Sequence, residues 1–262
     1  GPDGPTLTLT DGVVMRFGRS AGIVAGIDAD SPGQFEVTGS TERSVTLGGI
    51  EEGPGSWKGV TFSPFVDPAG VSNSLYFARV ENGGSADQAM VRVHCPTLPT
   101  LDSVFANAPG YPLEIVPSAV ADLTEGLAST AASAFQGNAV QRIKVLAAGS
   151  EPDILENSSW KHPGVPLELD GDLSWRGGTR DVSLNLEHGL RLLFPVGAGM
   201  HVGVGGGLRV DASRSSPVRM EGLEARPGSW KGLRLDDGVK GVEITGLDLG
   251  FGGSATEAML EW

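Results

Sequence analysis

Pro54-Gly55-Ser56-Trp57-Lys58-Gly59 recurs unchanged as Pro227-Gly228-Ser229-Trp230-Lys231-Gly232. The offset is 173 (230 − 57), and the flanks keep the same register: Gly49, Ile50 and Glu51 meet Gly222, Leu223 and Glu224, and Val45 meets Val218. Upstream the offset becomes 177, pairing Ala21-Gly22 with Ala198-Gly199 and Phe17 with Phe194. Downstream it falls to 169, matching Gly83-Gly84-Ser85-Ala86 with Gly252-Gly253-Ser254-Ala255 and Met90 with Met259. Changes of four residues therefore sit near 27–33 and 64–72, as expected of loops. The chain carries a long internal duplication, roughly 6–92 and 183–261, joined by less regular sequence over 93–182. A repeat of this kind governs every later reading of the fold.

Within each copy the hydrophobic period is two. Thr6-Leu7-Thr8-Leu9-Thr10 alternates, Asp11-Gly12 interrupts, and Val13, Met15 and Phe17 resume; the second copy does the same with Leu184, Leu186, Leu190, Leu192 and Phe194. Short alternating runs broken by glycine predict half-buried strands, with these ten residues facing inward. Many such strands allow a sandwich, a barrel or a solenoid, and the duplication favours the solenoid, whose coils need only stack on neighbours. In the middle section Ser103-x-Phe105 resembles Ser133-x-Phe135, and Leu113-Glu114-Ile115 lies 30 residues before Ile143-Lys144-Val145 (143 − 113), a length suited to one long coil. Residues 118–130 allow one or two helical turns with Val120, Leu123 and Leu127 on one side, although Gly126 weakens a helix. The fold class expected is all-β: a single parallel β-helix over 1–262, with about nine to thirteen coils of roughly 20–30 residues. Asn107 and Asn138 are expected to stack as an amide ladder, and Trp160 and Trp175 to cap coils.

Composition agrees. Forty glycines in 262 residues, a single cysteine and no long apolar run exclude a helix bundle, a disulfide scaffold or a membrane-spanning helix. A formal charge of −13 argues against nucleic acid or an anionic membrane as partner, because both reward Lys and Arg. Fourteen arginines against five lysines hint at a GC-rich bacterial source. Gly1-Pro2 reads as the scar of a cleaved tag, so any signal peptide or anchor is expected to lie outside this sequence. The sequence stops at Leu260-Glu261-Trp262 where the first copy runs on through Val91-Arg92-Val93. That stop is read either as a cut or as Trp262 covering the last coil.

The pattern Leu-x-Leu-x-x-Gly-x-x-x-x-Phe, then Ala-Gly, a Gly-rich strand and Pro-Gly-Ser-Trp-Lys-Gly resembles right-handed parallel β-helix repeat proteins of bacterial surfaces, some of lipoprotein type. The run from Trp160 to Trp175 resembles the lead-in to such a repeat. The resemblance spans nearly the whole chain and implies a right-handed solenoid in an extracellular or cell-surface location. It supplies no catalytic residues. A lipid anchor needs a cysteine just after the signal, which Cys95, in mid-chain, is not.

Each residue set that could carry chemistry also has a structural reading. Trp57-Lys58 and Trp230-Lys231 could stack a sugar ring and donate hydrogen bonds to it. The preferred reading is a structural corner, in which the indole covers apolar area at about 25 cal/mol/Å². Asp28 with Asp30, and Asp170 with Asp172, place two carboxylates on one face of an extended chain and could contribute to a calcium shell of six to eight oxygens. No Asp-x-Asp-x-Asp-Gly loop supports them, and solvated turns are the preferred reading. His94, His162, His188 and His201 lack metal-ligand spacing. There is no Gly-x-Ser-x-Gly elbow and no phosphate loop. The function expected is a non-catalytic secreted or surface binding or scaffold module, with a glycan or a surface protein as partner. The competing reading is a polysaccharide lyase or glycoside hydrolase on the same fold, with calcium and with Asp28, Asp30, Asp170, Asp172 and Arg180 as possible parts.

Overall fold

The computed structural model describes residues 4–66, 73–127, 133–147, 152–178, 180–253 and 258–261. The chain is a nearly all-parallel β-solenoid of about eight turns. That is fewer than the nine to thirteen expected, because the coils lie at the long end of the expected 20–30 residues or beyond it. Thr6 finds its neighbour on the next coil 28 residues on, and Ser159 finds its own 26 residues on. The step from Glu36 to Ser74 takes 38 (74 − 36), since it includes the Pro-Gly corner. Contacts divide the chain into two compact units, residues 1–143 with 163–165, and residues 144–162 with 166–262.

In the first unit each coil contributes three short strands. They are β1 (Thr6–Thr10), β2 (Val14–Phe17) and β3 (Ile23–Ala25); β4 (Gln34–Thr38), β5 (Val45–Gly49) and β6 (Val60–Phe62); β7 (Ser74–Tyr76), β8 (Ala78–Glu81) and β9 (Val91–Val93); β10 (Thr100–Leu101), β11 (Val104–Ala106) and β12 (Leu113–Ile115). Like strands stack in parallel, as β1-β4-β7-β10, β2-β5-β8-β11 and β3-β6-β9-β12. Ladders of this kind satisfy the backbone between coils and leave alternate side chains to fill the interior. Leu9, Val37 and Leu75 lie in one register and are buried, as are Leu47, Val80 and Phe105 in another. The first coil keeps this inward parity but, apart from Leu9, not its burial. Leu7 remains 43% exposed and Val13, Met15 and Phe17 are only half-buried, because among the described residues that coil has a neighbour on one side only.

A helix takes a strand's place on the coil after the fourth. A 3₁₀ turn over Pro117–Ala119 leads into α1 (Val120–Leu127), which buries Val120, Leu123 and Leu127 and packs on β10. The region expected to be helical extends to 130, but 128–130 fall outside the described residues. Gly126 makes this packing possible: a Cβ there would sit 1.2 Å from the Thr100 carbonyl oxygen, and Asp102 N–H donates to the Gly126 carbonyl at 3.3 Å. The residue that counts against a helix by propensity is the one that lets the helix touch the strand. After it, β13 (Phe135–Gln136) pairs with β11, setting Phe135 against Phe105 with ring centres 5.5 Å apart. The expected ladder of Asn107 and Asn138 does not form. Asn138 is buried under the preceding coil, accepting from Ala108 N–H at 2.9 Å and donating to the Phe105 carbonyl at 3.0 Å. Asn107 lies instead opposite Gly137.

β14 (Ile143–Val145) falls at the division between the units. In the second unit the coils are β15 (Ser158–Trp160), β16 (Leu167–Leu169) and β17 (Leu173–Trp175); β18 (Val182–Glu187), β19 (Arg191–Phe194) and β20 (Met200–Val202); β21 (Gly206–Asp211), β22 (Val218–Gly222) and β23 (Leu233–Leu235); β24 (Val242–Thr245), β25 (Leu247–Gly250) and β26 (Leu260–Glu261). They stack as β15-β18-β21-β24, β16-β19-β22-β25 and β17-β20-β23-β26. Leu184, Leu186, Leu190, Leu192 and Phe194 are all buried, as their alternation predicts. Trp160 and Trp175 are buried as well, and Trp175 Nε1 donates to the Gly207 carbonyl at 2.9 Å.

Candidate functional site

The two Pro-Gly-Ser-Trp-Lys-Gly corners have the same construction down to single hydrogen bonds. Trp57 stacks on Phe17 with ring centres 4.6 Å apart and 11° between planes; Trp230 stacks on Phe194 at 4.5 Å and 11°. Each indole N–H donates at 2.8 Å to a carbonyl of the next coil, that of Glu81 or of Gly250. Ser56 and Ser229 hydroxyls each donate at 3.1 Å, to Asn82 and Phe251 carbonyls. The closing glycine is required twice over. Gly59 and Gly232 hold φ of 88° and 102°, and a Cβ would meet the Met90 or Met259 carbonyl oxygen at 2.0 or 2.4 Å. Both tryptophans are 1% exposed. An indole this covered has no face on which a sugar could stack, so the ligand-stacking alternative for Trp57 and Trp230 is removed by their burial.

The lysines beside them differ. Lys58 is exposed and has no side-chain partner among the described residues. Lys231 Nζ lies 3.0 and 2.7 Å from the two carboxylate oxygens of Asp172.

Of the four aspartates weighed for calcium, the carboxylates of Asp28, Asp170 and Asp172 are engaged by the protein itself. Asp28 Oδ1 accepts from Asp30 N–H at 3.0 Å within a tight turn closed by Ile27 and Ser31. Asp170 accepts from Ala147 N–H at 2.8 Å and stands 3.6 Å from Lys144 Nζ. Asp172 accepts from Gly199 N–H at 2.8 Å as well as from Lys231. Asp28 and Asp30 belong to the first unit, Asp170 and Asp172 to the second. Arg180 is exposed. Among the described residues no group of three or more His, Cys, Asp or Glu side chains is placed to hold a metal ion.

Charged groups do converge at one concave place in the second unit, on the outer face of β17-β20-β23-β26. Strand register aligns Ser174, His201, Arg234 and Glu261 across that face. With Asp172 and Lys231 they border a cleft of about 230 Å³ whose floor includes Gly199 and Gly232. Asp236 ties two of them together, with His201 Nε2 2.9 Å from its Oδ2 and Arg234 Nε 3.2 Å from its Oδ1. His201, with Arg234 beside it, holds the Asp236 carboxyl below the ordinary aspartate range. Of this group, only Asp172 and Lys231 stand out as site candidates in the sequence, where His201 is read only against metal-ligand spacing. The available signal was disagreement between the copies: His201 stands where the first copy has Val24, and Arg234 where it has Thr61.

The remaining histidines do not join this cleft. His94 Nε2 contacts Glu114 at 3.2 Å. His162 is half-buried, and burial first, then the neighbouring His188, pushes its imidazole below the ordinary histidine value.

The class these features define is a parallel β-solenoid with duplicated aromatic corners and a polar cleft in its second unit. Comparison with protein-family models, with curated proteins and with solved structures finds no match to this chain. No helix among the described residues is long and apolar enough to cross a membrane.

Proposed function

We propose that this chain is a non-catalytic binding or scaffold module, secreted or displayed on a bacterial cell surface, whose partner is a glycan or a surface protein. The observation that carries this reading is how the charged side chains are used. Many outward arginines and lysines are matched to acids on the next coil or the one beyond it, as in Arg191 with Glu221, Arg16 with Glu81 and Lys231 with Asp172. A general base or nucleophile needs a group held ready for a substrate, and pairing of this kind spends the charge on the scaffold instead. Stacked coils give long lateral faces suited to an extended partner. The location rests on the resemblance to surface β-helix proteins.

A panel of neutral and acidic polysaccharides, incubated with the chain with and without calcium, tests the reading. Retention of a glycan or a surface protein with no release of shorter products is the expected result. Product release that disappears in Asp170→Asn or Asp172→Asn would replace it with a lyase or hydrolase.

A further inference from the structure

The two copies of the duplication provide an internal control. What the corner needs is the same in both: the hexapeptide, the stacked phenylalanine, the following glycine and the methionine. What differs on the strands beside the corner is therefore free of that requirement. Val24, Thr61 and Ser63 of the first copy have His201, Arg234 and Asp236 as counterparts in the second, at the same offsets of 177 (201 − 24) and 173 (234 − 61 and 236 − 63). Arg92 has Glu261. Asp172 comes from the coil before the second copy, outside the duplication. Three of these substitutions, Val24 to His201, Thr61 to Arg234 and Ser63 to Asp236, put ionisable, planar side chains where the first copy has apolar or neutral ones, at or beside one cleft.

The geometry points to a binding site for one neutral sugar residue, held in this cleft through its hydroxyl groups. This rests on the binding-module reading and gives it a ligand class. Size comes first: about 230 Å³ is below the roughly 300–1,000 Å³ of pockets for drug-sized ligands, so it has room for a single ring. Charge comes second. Lys231 is paired to Asp172, and Arg234 and His201 are paired to Asp236. A charged ligand group would have to exchange into one of these pairs or approach the neighbouring Arg234 and Glu261, of which the first repels a cation and the second an anion, and either is costly. Hydroxyls need no such exchange, because each both donates and accepts. Among the described residues the terminal nitrogens of Arg234 and the carboxylate of Glu261 engage no other side chain, which leaves donors and acceptors facing one space. The existing pairs fix the planes of these groups in advance, lowering the ordering cost when a ligand arrives.

The test uses the full chain, amide-resolved NMR, and methyl glucoside, methyl galactoside and methyl mannoside as probes, with glucuronate as the charged comparison. At least one neutral glycoside is expected to shift the amides of Gly199, His201, Gly232 and Arg234, with an affinity that changes less than about twofold between low and high salt. The double variant His201→Val with Arg234→Thr installs the residues that the first copy carries at the same backbone positions, so the fold is expected to persist. That variant should weaken binding at least about tenfold. Arg234→Lys, which keeps the charge and loses the planar fork, should fall between the two. Three results would overturn the inference: no response to any neutral glycoside, undiminished binding in the double variant, or binding of glucuronate alone with steep salt dependence. If the polysaccharide panel is still retained in any of these cases, the binding-module reading stands without this site; product release in that panel would remove both.

Discussion

Trp230→Ala is the substitution whose cost follows most directly from the fold. The indole is 1% exposed, lies 4.5 Å from the Phe194 ring, which is itself fully buried, and donates to the Gly250 carbonyl at 2.8 Å. Truncating a buried tryptophan costs about 3–5 kcal/mol, since the surroundings collapse only in part. The stranded carbonyl and the lost stack, each worth about 1 kcal/mol, place this site in the upper half of that range, near 4 kcal/mol. Trp57→Ala should cost less, about 3 kcal/mol, because Phe17 lies in the half-exposed first coil and the vacated space opens towards water. Trp230→Phe separates the contributions: it keeps an aromatic face on Phe194 and loses the N–H, for about 1–2 kcal/mol. Urea titration followed by far-ultraviolet circular dichroism reads the stability, with the slope checked for loss of cooperativity between coils. In a melt, about 4 kcal/mol corresponds to a drop of roughly 8–16 °C for a unit of this size. A Trp230→Ala chain within about 0.5 kcal/mol of the parent, the range of ordinary surface changes, would refute the corner as a structural element.

Other expectations follow from the same geometry. Gly252→Ala would place a Cβ 2.8 Å from Trp230 Cε2 and should cost about 1–3 kcal/mol by lifting the indole off Phe194; an unchanged urea midpoint would contradict that packing. His162 has a folded pKa below its unfolded one, so its contribution is complete above about pH 6.5 and is lost as pH falls through the folded value. His162→Gln should therefore flatten the decline in melting temperature between neutral and mildly acidic pH, and an unaltered decline would count against it. Burial pushes the Cys95 thiol up to about 11, and its Sγ donates to the Thr97 carbonyl at 3.1 Å. The folded chain should resist an aromatic disulfide reagent that labels it at once in denaturant; rapid labelling of the folded chain would show that the pocket around Cys95 opens readily.

Most of the architecture was legible because a solenoid writes its geometry in a period. Alternation at Leu184, Leu186, Leu190, Leu192 and Phe194 states which side chains face in, and the chain obeys it. The same pattern at Leu7 gives the direction but not the burial, since burial depends on a neighbouring coil and not on the strand's own residues. Coil number was overestimated for a related reason: loops that lengthen a coil leave no mark on the strand period. Gly126 shows a third kind of failure. Its propensity argues against a helix, but the decisive fact is the Thr100 carbonyl 1.2 Å from where a Cβ would be, a tertiary contact that no local window contains.

The site was less legible, and the duplication explains why. Identity between copies drew attention to Trp57 and Trp230, and identity is what a fold enforces when two corners solve one packing problem. Each conserved group there has an internal partner: the indole has a carbonyl and a phenylalanine, the serine a carbonyl, the glycine a close backbone approach. Such groups have little left to offer a ligand. Binding needs groups whose bonds are not all taken, and in a duplicated chain those arise where one copy departs from the other. Val24 and Thr61 ask nothing of the first copy's surface, while His201 and Arg234 on the same backbone bring polar groups to a cleft, where the terminal nitrogens of Arg234 engage no other side chain among the described residues. For this chain, identity between the copies marks the scaffold, and the departures at His201, Arg234 and Asp236 mark the surface where function is to be sought.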